Sequence, residues 1–98
     1  MKYYNKSGKE ISFQAWADLF EDLNYKVVKQ QTVGKYYIST VWLGMDHGIF
    51  GDKPIIFETM VFNRSDSEND YLDREMQRYS TLEEAKEGHR EMVKKYRN

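Results

Sequence analysis

The chain has 98 residues, enough to bury one hydrophobic core but not to add a separate catalytic lobe, so a single domain over residues 1–98 is expected. Its 15 basic and 16 acidic residues nearly cancel, which removes both the basic excess of a nucleic-acid backbone binder and the acidic excess of a nucleic-acid mimic. Cysteine is absent, which excludes disulfides, thiolate nucleophiles and cysteine metal sites.

No segment approaches the roughly 20 apolar residues that cross a bilayer, so the chain reads as soluble and unprocessed, with no membrane partner. Eight Tyr, five Phe and two Trp must supply much of the buried area.

Asn5-Lys6-Ser7-Gly8 is a turn signal between Tyr3-Tyr4 and Ile11, and it predicts a short N-terminal hairpin or a hooked strand. Phe13, Trp16, Ala17, Phe20 and Leu23 then recur at helical spacing. They predict an amphipathic helix of about three turns, capped by Ser12 and ending at Asn24. From Tyr25 to Thr32 the period falls to two, a strand, and Val33-Gly34-Lys35 turns it into a second strand, Tyr36 to Leu43.

That second strand has no clearly wet face, with Tyr37, Val41 and Leu43 on one side and Tyr36, Ile38 and Trp42 on the other. Ile55 to Phe62 repeats the pattern, Ile55, Phe57 and Val61 opposing Ile56, Met60 and Phe62. Such strands belong at the centre of a sheet, or need a partner chain over the second face. Glu58 interrupts the second of these faces and requires a counter-charge, for which Arg78 and Arg74 are the candidates.

Residues 63–70 form a polar, turn-rich loop, followed by a more exposed strand from Tyr71 to Tyr79. Thr81-Leu82-Glu83-Glu84 is a capping box that opens a helix whose apolar stripe includes Leu82, Ala85, His89, Met92 and Val93. Two helices can then cover one sheet face. The expected fold is a single α+β domain with an antiparallel sheet of four to five strands and two helices, in the order β-α-β-β-β-β-α.

Little catalytic chemistry can be assembled. Asp46 and His47 are adjacent, and no further His or Cys completes an N/S metal site, so no metal is expected. Ser39, Asp46 and His47 supply the residue types of a hydrolase triad, yet no nucleophile elbow surrounds any serine. Gly44, Gly48 and Gly51 lack the lysine-serine ending of a phosphate loop and read as loop glycines. His89, on an apolar helical stripe, is expected at the core edge, bonded to a carbonyl.

The remaining constellation is Trp42, Asp46 and His47 with Arg74, Arg78 and Tyr79. Aromatic faces that stack on a base and guanidinium forks that hold phosphate are what a nucleotide-sized ligand requires. These six are the candidate ligand-binding residues. The opposing reading explains each by packing alone, with Trp42 in the core and Tyr79 snorkelling.

STVWLGMDHG (39–48), IIFETMVF (55–62) and RYSTLEEAKEGHREMV (78–93), with the opening YYNKSGKEISFQAWADLFED, resemble a family of small bacteriophage-encoded proteins, mostly of unassigned function. The resemblance covers nearly the whole chain and implies action in the cytoplasm of an infected bacterium. It carries over no catalytic residues. It implies a non-enzymatic accessory protein, without cofactor, that inhibits host defence by gripping a host defence protein or sequestering a small nucleotide signal. The alternative is a structural or regulatory interaction module with no small-molecule ligand. The two doubly apolar strands add the expectation of a homo-oligomer.

Overall fold

The computed structural model describes residues 1–46, 53–64 and 71–97, the side chains of Arg64 and residues 71–74 excepted. Its centre is a four-stranded antiparallel sheet in sequential order: β3 (Val27–Val33), β4 (Tyr36–Trp42), β5 (Phe57–Arg64) and β6 (Tyr71–Tyr79). A separate hairpin of β1 (Tyr3–Tyr4) and β2 (Glu10–Ile11) precedes it. Three helices complete an α+β fold: α1 (Phe13–Glu21), α2 (Leu23–Lys26) and α3 (Leu82–Arg97). None of the described helices is long and apolar enough to cross a membrane.

The turn chemistry is local. Asn5 Oδ1 accepts hydrogen bonds from the Ser7 and Lys9 amides, and Gly8 takes φ +83°, which closes the N-terminal hairpin where the sequence predicts it. Gly34 takes φ +60° at the first central position of the β3–β4 turn, the backbone that a type II′ hairpin requires. Ser12 Oγ accepts from the Ala15 amide at 3.1 Å and starts α1 as expected.

The first helix ends earlier than its apolar spacing suggests. The Asp22 carboxylate accepts from the Asn24 and Tyr25 amides, which stops α1 at Glu21 and caps the short α2. Tyr25 is therefore helical, not the start of a strand, and β3 begins at Val27. At the far end β5 runs on through Arg64, so Asn63 and Arg64 are strand residues, not loop. The rest of the predicted polar loop, residues 65–70, lies outside the described residues.

Both doubly apolar strands are central, β4 between β3 and β5, and β5 between β4 and β6. One of their faces is fully covered. There α3 packs across Val33, Ile38 and Val61 through Met92 and Val93. Trp42, Ile56 and Phe57 meet Ala85 together with Trp16, Phe20 and Tyr25 of the N-terminal helices. Each large side chain buried this way contributes about 1.5–3 kcal/mol over leaving it in water. Tyr37, Val41, Met60 and Phe62 point the other way and are only partly exposed, and no described helix lies over them.

Candidate functional site

The structure separates the six residues that the sequence groups together. Trp42 is completely buried, its indole Nε1–H donating to the Tyr4 carbonyl at 3.0 Å and its ring meeting Tyr25 edge-on. It is a core residue, and no face of its ring is open to a ligand. Asp46 Oδ1 accepts from the Ile55 amide at 2.8 Å, so this carboxylate ties together the two ends of the connection between β4 and β5. His47, Gly48 and Gly51 lie outside the described residues. Arg74 sits in β6 where its register against β5 shifts by one residue, and its side chain is outside the described set.

Arg78 and Tyr79 are neighbours in a strand and so point to opposite faces. Arg78 Nε donates to Glu58 Oε2 at 3.1 Å across the β5–β6 ladder, on the face turned away from α3. Glu58 thus finds the counter-charge that its place in an apolar row demands. Tyr79 lies in the row of Trp42 and Phe57, beneath α3 and against Gly88, where an added Cβ would come within 2.1 Å of its hydroxyl. Trp42 and Tyr79 therefore share the covered side with no access to Arg78, and the constellation does not assemble as one ligand site.

Beneath α3 there is instead a buried polar chain that the sequence only hints at. His89 Nε2–H donates to Gln31 Oε1 at 2.8 Å, which leaves Nδ1 to accept from the Thr40 hydroxyl at 2.7 Å. Thr40 and Thr59 are themselves bonded at 2.5 Å, both completely buried. His89 is thus a core residue as expected, bonded to a side-chain carbonyl. Burial holds its pKa below the ordinary value, with the Lys29 charge acting in the same direction. The Tyr79 hydroxyl, buried without a well-aligned hydrogen-bond partner among the described residues, has its pKa pushed up by burial; the neighbouring Thr59 hydroxyl opposes the push. Thr40, Thr59 and His89 are closed off from solvent while Gln31 is half-buried, and the chain serves the packing of α3 onto the sheet.

An open site forms elsewhere. A cleft of about 550 Å³ lies between the N-terminal turn, the Lys53-Pro54 segment and the start of α3. Lys6, Tyr25, Lys53, Ser80, Thr81 and Glu83 are among the residues that line it. The Lys6 amide donates to the Tyr25 hydroxyl at 2.8 Å, and its ammonium sits 4.5 Å from the centre of the Tyr25 ring. Burial lowers the Lys6 pKa, the Lys86 charge adds to this, and Asp22 opposes it.

On the opposite wall the capping box is complete. Thr81 Oγ1 accepts from the Glu84 amide, and Glu84 Oε1 accepts from the Ser80 and Thr81 amides at 3.0 and 3.1 Å. Those backbone bonds hold the Glu84 carboxyl below its usual range, with Lys53 contributing. Because the cleft joins three segments far apart in the chain, no local motif announces it. Among the described residues no group of three His, Asp or Glu side chains could hold a metal ion. No family model, curated protein or solved structure matches the chain.

Proposed function

We propose that this protein is a non-enzymatic bacteriophage accessory protein that counters host defence by sequestering a small nucleotide signal. The phage setting comes from the resemblance of the chain, and the infected cell's cytoplasm is where such a signal would be met. The observation that carries the ligand class is the Lys6–Lys53 cleft. Its volume, about 550 Å³, falls within the range of small-molecule sites, roughly 300–1,000 Å³. Among the described lining residues two lysines stand against one carboxylate, Glu83, which favours an anion, the Ser80 and Thr81 hydroxyls suit phosphate or sugar, and Tyr25 offers an aromatic wall. The half-buried Lys6 ammonium pays a desolvation penalty that an anionic ligand offsets.

The test is thermal unfolding of the purified protein with mononucleotides and with linear and cyclic dinucleotides. The expected result is a rise in melting temperature with at least one of them, lost in the Lys6→Ala/Lys53→Ala double variant. No rise with any nucleotide would remove the reading. A second reading, a phage interaction module without a small ligand, is favoured by the partly exposed apolar side chains on the face of β4 and β5 that no described helix covers. Inhibition of a host defence that persists in the double variant would select it.

A further inference from the structure

We infer that the Lys6–Lys53 cleft holds its ligand by the phosphate and not by the base, through the Lys6 and Lys53 ammonium groups and the free phenol proton of Tyr25. The inference deepens the nucleotide reading of this cleft and rests on it.

The bonds already made around the cleft fix what its walls have left to offer. The Tyr25 hydroxyl accepts from the Lys6 amide at 2.8 Å, so its own proton is free to be donated. The Lys6 and Lys53 ammonium groups enter no ion pair among the described residues. At Lys6 the like charge of Lys86 acts more strongly than the opposite charge of Asp22, so the field there is positive. On the far wall the Ser80 and Thr81 amides are taken by the Glu84 carboxylate, which leaves them nothing to give an anion. The grip on a phosphate therefore lies on the Lys6, Tyr25 and Lys53 side, where donors outnumber acceptors.

Nothing equivalent is set out for a base. Tyr25 is the one aromatic side chain among the described lining residues, and its ring is already engaged. The Lys6 ammonium sits 4.5 Å from the ring centre, and the Trp42 ring lies 5.0 Å away with the two planes at 89°. A base stacking on the face under Lys6 would have to displace that ammonium and lose its cation–π contact. Glu83, the one carboxylate among those residues, can accept from a base N–H, but it is exposed, where water competes for the same bond and little is gained.

Isothermal titration calorimetry of the full chain tests this, with AMP, GMP, CMP, UMP, the cyclic dinucleotides of adenine and of guanine, ribose 5-phosphate and adenosine as probes. Nucleotides that share a phosphate skeleton are expected to bind alike whatever their base, ribose 5-phosphate to bind as AMP does, and adenosine to give no heat. Tyr25→Phe keeps the ring and is expected to weaken every phosphate-bearing ligand by the same factor, about tenfold. Lys6→Gln, at a partly exposed position, supplies the same test if Tyr25→Phe does not fold. Four results would overturn the inference and leave the nucleotide reading standing: adenosine binding as tightly as AMP, ribose 5-phosphate inert where AMP binds, a preference between bases on one skeleton above about tenfold, or a folded Tyr25→Phe that binds as wild type does. No binding by any nucleotide would remove the reading itself, and the inference with it.

Discussion

His89 and Thr40 lie 49 positions apart in the chain and meet at 2.7 Å beneath α3, among the buried apolar side chains of Ile38, Val61, Met92 and Val93 and the polar side chains of Gln31 and Thr59. The imidazole uses both nitrogens, and the hydroxyls of Thr40 and Thr59 depend on it to complete their pairing. Removing it leaves buried polar groups unpaired, so His89→Ala is expected to cost about 3 kcal/mol. Urea denaturation followed by tyrosine and tryptophan fluorescence measures this. A loss under about 1 kcal/mol would show that the polar chain is dispensable.

The same residue makes stability depend on pH. Its folded pKa is depressed, so the unfolded chain takes up a proton first as pH falls. Stability is therefore full above the unfolded histidine value of about 6.5 and declines below it. Wild type should show a lower urea midpoint at pH 5.5 than at pH 7.5, and His89→Gln should flatten most of that difference. The carboxylates of Glu75 and Glu84 are also depressed, Glu75 chiefly by its bond to Lys95, but they act only in the lower, carboxylate range of pH.

Gly88 offers a sharper test of packing. In an exposed helix, Gly→Ala is stabilising by about 1 kcal/mol. Here the new methyl meets the Tyr79 ring and hydroxyl within 2.3 Å, so Gly88→Ala is expected to destabilise the protein instead. In a Tyr79→Ala background the sign should reverse. A double-mutant cycle on melting temperature reads the coupling, and an additive result would mean that Tyr79 moves aside freely.

Trp42 and Arg78, both candidate ligand residues in the sequence, should respond very differently. Trp42→Ala removes a completely buried ring and its indole bond, an expected loss of about 3–5 kcal/mol, enough to unfold many domains of this size. Arg78 is 39% exposed but its partner Glu58 only 12%, so Arg78→Ala strands a mostly buried carboxylate and should cost about 1–3 kcal/mol, less than Trp42→Ala. Equilibrium denaturation of both variants separates a core position from a surface one.

Much of the architecture was legible because its determinants are local. The Thr81–Glu84 capping box, the Ser12 cap, the glycine turns and the alternating strands each act over a few residues and survive in the structure. The break at Asp22 was not legible, since the apolar spacing of Phe20 and Leu23 runs straight across it while a single carboxylate ends one helix and begins the next. Of the two places open to the doubly apolar segments, the centre of the sheet is the one both take. The candidate site was least legible. Adjacency in sequence put Arg78 beside Tyr79, but a strand sends them to opposite faces, and the Lys6–Lys53 cleft joins segments that nothing in the linear pattern connects. Thr40 and Thr59 read as ordinary strand threonines until their register brings them together.

The two tryptophans exchange partners: Trp16 donates to the carbonyl of Leu43, just past β4, and Trp42, at the end of β4, donates to that of Tyr4 in β1. Residues 4–16 are thereby latched to a segment that follows them by 27 to 38 positions. The sheet and α3 can assemble by joining sequence neighbours in order, since the four strands pair consecutively. The N-terminal hairpin and α1 cannot, because their seat is the completed end of β4. Of the two, the segment earlier in the chain is the one that must wait, and its arrival seals the indole of Trp42 from water.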